Sequence, residues 1–175
     1  MKRTILLAIL FTSTIFATNF VLGQDSVRCN DKRFDDALLE KIIGQWAVSG
    51  KIGGDNIVYN FVAKWELNHQ FIELTFADTA KQPQYTAKVF IGYDCISKRY
   101  VVHWLDNFGG RFSETLGYGI KSGQIIEFRF EYPEGPFINK FIYDSKNDTW
   151  QFQTTTKNDK GVWVTFGDIY LKRKK

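Results

Sequence analysis

From Gly44 onward the apolar residues recur at every second position, in ten short runs separated by turn residues. A period of two is the signature of a half-buried strand, and little else tolerates it over so long a stretch. The runs cover residues 45–51, 55–67, 70–77, 84–93, 99–106, 111–119, 124–132, 136–144, 149–156 and 161–172. Between them stand Gly53-Gly54-Asp55, Asn68-His69, Phe108-Gly109-Gly110, Lys121-Ser122-Gly123, Pro133-Glu134-Gly135 and Ser145-Lys146-Asn147-Asp148. These are residue types that close hairpins, so each strand pairs with the next in antiparallel fashion. Without helices to cover a sheet, closure removes the exposed edges. The expectation is an all-β fold, a roughly ten-stranded antiparallel up-and-down barrel. A two-sheet sandwich is the alternative.

One segment departs from the period. Phe34, Leu38, Leu39, Ile42 and Ile43 recur at three- and four-residue steps. This predicts one short N-terminal helix over residues 34–43, capped by Asp31 and stopped by Gly44. Further upstream, Lys2 and Arg3 precede the apolar run Ile5 to Phe11, and Val21-Leu22-Gly23 offers a cleavage site. That layout predicts a signal peptide over residues 1–23 and a single barrel domain over 24–175, exported to a periplasm or secreted. An uncleaved anchor is the alternative. After cleavage no stable membrane insertion is expected.

The net charge is +4, of which Lys2 and Arg3 of the leader supply two. Much of the remainder is the terminal Lys172-Arg173-Lys174-Lys175, a solvated tail rather than a broad basic face, so no nucleic-acid partner is expected. The two cysteines, Cys29 and Cys95, are expected to form one disulfide in an oxidising compartment. Its loop of about 66 residues would stabilise the fold by roughly 4 kcal/mol. Two free thiols or a lipid-modified Cys29 are the alternatives.

Gly44-Gln45-Trp46 at the start of the first strand resembles the G-x-W element of lipocalin-like (calycin) barrels. Gly92-Tyr93-Asp94, followed by Tyr100 to Gly109 with its W-x-D-x-x-G pattern, is similar to a bacterial lipocalin-like family that is itself a domain of unknown function. The resemblance spans most of residues 37–173 and takes in Trp65, Phe71 and Gly117-Tyr118-Gly119. It implies that Trp46 plugs one end of a barrel and that a basic residue of the last strand, Lys172 or Arg173, packs across it. Ligand binding follows only by analogy, because a fold does not fix a function.

Catalytic and metal signatures are sparse. The sequence holds no H-E-x-x-H, no cysteine pair at metal spacing and no phosphate-cradling glycine loop, and no cofactor is expected. His69 falls in a turn, and His103 lies mid-strand beside Trp104. Glu73, Glu114, Glu127, Arg111 and Arg129 are strand charges of the kind that usually face solvent. With 16 Phe, 8 Tyr and 5 Trp, the chain has the means to line an apolar cavity. The resulting expectation is a binding protein for a small, mostly apolar molecule, with His103, Arg129, Tyr118, Trp104 and Phe130 as ligand-contacting residues. A structural or interaction module without ligand is the second reading. A barrel enzyme using a carboxylate and His103 is the third, and no catalytic residue is assigned. The oligomeric state is left open.

Overall fold

A computed structural model describes residues 33–174. Ten strands follow one another: β1 (Gly44–Ile52), β2 (Asp55–Glu66), β3 (Phe71–Asp78), β4 (Thr86–Asp94), β5 (Arg99–Asp106), β6 (Leu116–Ser122), β7 (Ile125–Tyr132), β8 (Gly135–Asp144), β9 (Thr149–Lys157) and β10 (Trp163–Arg173). Each pairs antiparallel with its sequence neighbour, and β1 pairs with β10 to close the barrel. The expected ten-stranded up-and-down barrel is thus the observed one. The cysteine and signal-peptide expectations for residues 1–32, Cys29 included, fall outside the described residues. Cys95 stands in the turn between β4 and β5.

The predicted helix shrinks to a single 3-10 turn, Leu39–Ile42. Asp36 starts it late, because its Oδ1 accepts the amide hydrogens of Leu38 and Leu39, both at 2.9 Å. The residues before it spread across the end of the barrel instead, and the Phe34 ring sits 5.6 Å from Trp65 and 5.8 Å from Tyr93. A second departure lies in the run 111–119. Residues Gly110–Ser113 form a short helix, α1, and β6 begins only at Leu116. The Ser113 carbonyl lies 2.7 Å from His103 Nε2, a contact that ties α1 to the outside of β5.

One end of the barrel is shut. Trp46 is fully buried and donates its indole N–H to the Ile42 carbonyl at 2.7 Å. Trp65 donates to Glu40 Oε2 at 2.8 Å and Trp150 to the Lys41 carbonyl at 3.5 Å, so the 3-10 turn is held by indoles from three strands. Arg173 is the basic residue across Trp46, with its guanidinium 4.1 Å from the ring centroid. It also donates to the Ile43 and Lys41 carbonyls and to Asp148. Gly44 leaves room for this guanidinium, since a Cβ there would stand 3.1 Å from Arg173 Nη1. Beneath lies a core of buried apolar residues from every strand but β6, including Val48, Phe61, Ile72, Leu74, Val89, Ile91, Val102, Ile126, Trp150 and Leu171. On β6 the inward positions are Gly117 and Gly119, whose missing side chains are replaced by the rings of Phe130 and Phe128 lying over them.

Candidate ligand site at the open end

Successive residues of a strand point to opposite faces, so register decides which of the expected ligand residues look inward. On β5, Tyr100 and Val102 are buried in the core, which places Trp104 and Asp106 on the same inner face. His103 therefore faces outward, against the Ser113 carbonyl. On β7, Phe128 and Phe130 are buried inside, and Arg129 points out, where it pairs with Glu131. Tyr118 faces out between the inward Gly117 and Gly119, with the Arg99 guanidinium 3.8 Å from its ring centroid. Trp104 and Phe130 alone among the five line the interior.

The carboxylates weighed for acid–base work lie on the outer surface. Glu73 accepts from Lys88 at 2.9 Å, a hydrogen bond that holds its carboxyl below the ordinary range despite burial. Glu127 is 3.0 Å from Lys140, Arg111 is 2.8 Å from Glu134, and Glu114 follows α1. His69 has a left-handed backbone in the β2–β3 turn, and its ring stacks on Trp65 at 3.8 Å. No inward Glu–His pair forms among the described residues, and no group of three His, Cys, Asp or Glu residues there could hold a metal ion.

The barrel is crossed at mid-height by aromatic rings. Phe152 of β9 lies 5.9 Å from Trp104 of β5, nearly parallel, and 6.1 Å from Phe76 of β3. Phe76 is 5.4 Å from Trp104, and Phe141 of β8 is 4.5 Å from Phe152. These rings bridge opposite walls and form a floor. Below it the interior is apolar packing. Above it the inward residues change character, and Ile52, Ile57, Tyr59, Tyr85, Tyr132 and Phe137 are only partly buried. Side chains that face the barrel axis yet meet solvent mark this as the open end of the barrel.

Three polar groups stand one inward position above floor rings. Strands rise about 3.3 Å per residue, so a step of two residues lifts a side chain by about 7 Å. Asp106 stands above Trp104, Thr154 above Phe152, and Asn139, opposite Thr154, above Phe141. Asn139 and Thr154 are 5% and 6% exposed, and neither Asn139 Oδ1 nor Thr154 Oγ1 has a hydrogen-bond partner. Such orphaned oxygens cost about 1–3 kcal/mol each, so their retention calls for a reason. Gly167, paired with Thr154, makes space for the hydroxyl: a Cβ there would lie 2.7 Å from it.

Asp106 is half-buried at the mouth. Burial raises its carboxyl pKa above the ordinary value, and the Phe108 amide (3.0 Å) and Trp104 indole offset this only in part. Burial likewise pushes the phenols of Tyr85 and Tyr132 upward, and the nearby Asp106 charge adds to the effect. Both therefore stay protonated near neutrality. Tyr85 Oη accepts the Trp104 indole N–H at 3.3 Å, and its ring stacks on Tyr59 at 5.5 Å. Sequence reasoning passed over Asp106, Asn139, Thr154, Tyr85 and Tyr132. The available signal was parity: Asp106 shares its face with Trp104.

A family model described as "Protein of unknown function (DUF1579)" matches residues 35–173. The chain belongs to that family. No curated protein matches it. Among solved structures the barrel is similar to Rv2717c from M. tuberculosis, at 14% identity and a TM-score of 0.52, over 78% of this chain and 95% of that one. At that identity the likeness concerns the fold alone.

Proposed function

We propose that this protein is an exported small-molecule binder of lipocalin-like type, which holds a mostly apolar ligand in the open half of its barrel. One observation carries the reading: partly exposed inward aromatics ring the open end, and in the proposed cup between them Asn139 Oδ1 and Thr154 Oγ1 are buried without partners. Apolar rings supply area, at about 25 cal/mol per Å² buried, and a few unsatisfied polar atoms fix orientation. The floor of Phe76, Trp104 and Phe152 limits the ligand to the upper half, which suits a compact molecule rather than a long chain. Trp46 beneath Arg173 supports the lipocalin-like assignment. Export to a periplasm or the medium, with Cys29 joined to Cys95, belongs to the same reading.

The test is to purify the protein from its native host and analyse a denaturing solvent extract by mass spectrometry. A stoichiometric small molecule supports the binder and gives its class. An empty extract, together with no displacement of a fluorescent apolar probe, counts against it. A structural or interaction module is the second reading, favoured by exposed Phe108, Phe112, Val162, Trp163 and Phe166 on the strands and loops of the open end. In that case the probe, if it binds, is insensitive to substitutions of Asn139 and Thr154.

A further inference from the structure

β5 and β6 share the shortest ladder of the barrel, four pairs from Tyr100↔Gly119 to His103↔Leu116. Beyond His103, β5 runs on through Trp104, Leu105 and Asp106 with β4 as its only partner strand. On the far side, Glu131 and Tyr132 of β7 pair with β8 and with no residue of β6. At the open end, therefore, no strand pairing carries the wall from β5 across to β7. Asp106 and Tyr132 flank this gap. Both are only partly buried, and the Asp106 charge acts on the Tyr132 phenol.

The gap is covered by the longest connection between strands, residues 107–115, which contains α1. Its start is well anchored. The Asn107 amide donates to the Thr86 carbonyl at 3.1 Å, its Oδ1 accepts from the Thr86 amide, and its Nδ2 donates to the Gln84 carbonyl at 2.8 Å. The remainder is not. Among the described residues, 110–115 make no backbone hydrogen bond to any other element. Two side-chain ties hold them. His103 Nε2 lies 2.7 Å from the Ser113 carbonyl, which can only accept, so the imidazole donates. Arg111 pairs with Glu134 at 2.8 Å, an exposed ion pair of a kind that contributes little. Ser113 alone of these residues is buried, whereas the Phe112 ring is 47% exposed.

Gly109 and Gly110 stand where the anchored part ends. Gly109 has a φ of +97°, and a Cβ added at either position would meet nothing within 4 Å. Two freely turning residues beside a segment with few buried contacts have the makings of a hinge and a flap.

We propose that residues 110–115 form a side lid, hinged at Gly109-Gly110 and latched by His103, and that the ligand enters the open half of the barrel through the gap beneath it. This inference rests on the reading of the open half as a ligand site and supplies the route, which that reading leaves open. A lid that opens for both entry and exit controls rates and not affinity, so loosening it speeds association and dissociation together.

The experiment follows N-phenyl-1-naphthylamine, a neutral fluorescent probe, by stopped flow on the intact protein. His103→Leu removes the latch and is expected to raise both rate constants by about fivefold, the scale of one lost hydrogen bond, with little change in Kd. Gly110→Ala adds a methyl that meets no atom and stiffens the hinge, and is expected to lower both rate constants by about twofold. Should His103→Leu misfold by circular dichroism, Gly110→Ala decides alone. Unaltered rates in the folded variants put entry elsewhere on the barrel and overturn the lid, while the binder reading stands. A change in Kd through one rate constant alone marks a contact with the ligand and overturns the lid as well. If the probe does not bind the unsubstituted protein, the binder reading falls and the entry route falls with it.

Discussion

Arg173 on the last strand lies over Trp46 on the first, 4.1 Å from guanidinium to ring centroid, and so fastens the seam at which the barrel closes. The same guanidinium donates to the Lys41 carbonyl at 2.9 Å and the Ile43 carbonyl at 3.0 Å, and its Nε and Nη2 both reach Asp148. One side chain thus joins β1, β10, the 3-10 turn and the β8–β9 turn.

Arg173→Ala is expected to destabilise the fold by about 2–4 kcal/mol, the combined scale of a partly desolvated cation–π contact and several charge-assisted hydrogen bonds. Arg173→Lys should recover only a minor part, because a point charge cannot serve two carbonyls, a carboxylate and a ring face at once. Urea denaturation followed by tryptophan fluorescence measures both. Equal stability of wild type and Arg173→Ala would show the seam to be held by its backbone ladder alone.

Asp36 sets the acid limit. Burial alone would raise its carboxyl, but hydrogen bonds from Lys121, Tyr100 and the Leu39 amide outweigh it and hold the pKa below the usual value. A group whose pKa is lower folded than unfolded contributes stability above the unfolded value and loses it as pH falls toward the folded one. Stability is therefore expected to decline below about pH 4, the ordinary carboxylate range. Asp36→Asn should flatten that limb, and Lys121→Met, which lets the folded pKa rise toward the unfolded one, should shorten it. Urea midpoints taken from pH 2 to 7 test the sign. An acid limb unchanged in Asp36→Asn would assign it to other carboxylates.

Thr154→Val and Asn139→Leu remove the two orphaned oxygens. Each is expected to stabilise the ligand-free protein by about 1 kcal/mol, since a buried acceptor without a partner is replaced by apolar surface. Each should also weaken whatever the cup binds. Thermal unfolding and probe titration on the same samples make the comparison. A variant that is less stable when empty would mean that its oxygen is satisfied in solution, and the case for a ligand there would weaken.

Gly117 and Gly119 keep β6 thin on its inner side. A Cβ at Gly117 would lie 2.6 Å from Val102 and 2.7 Å from the Phe130 ring, and one at Gly119 would lie 2.5 Å from Phe128. Gly117→Ala and Gly119→Ala are each expected to cost about 1–3 kcal/mol through overpacking. Pairing Gly117→Ala with Phe130→Leu should restore part of the loss. If the double variant is no better than the sum of the two, the ring is not what the methyl meets.

The strands were legible because turn chemistry and the period of two agree along nearly the whole chain. Two signals misled. The run Arg111 to Leu116 alternates like a strand, yet α1 takes its first half, because the His103–Ser113 contact and two preceding glycines favour a turn there. At the other end, the choice between Lys172 and Arg173 was out of reach by counting along β10. A register shift between Thr165 and Gly167 reverses which positions face inward, so parity taken from Trp163 fails by Ile169. The expected ligand residues contained their own contradiction. His103 and Trp104 are neighbours, as are Arg129 and Phe130, and a strand turns only one of each pair inward. Which one depends on the register of the closed barrel, a property of all ten strands together. Asn139 and Thr154 escaped notice because nothing local separates a buried polar residue from a solvated one, whereas Asp106 was open to parity with Trp104.

The pairing of Trp46 with Arg173 joins positions at opposite ends of the described chain, and this orders events in time. A ribosome has delivered every other strand before β10, the second partner of β1, exists. Until then the growing sheet carries two open edges, and contacts so distant in sequence form slowly even in a complete chain. The sheet thus stays unclosed until β10 is in place, and its fastening comes with the last strand of the barrel.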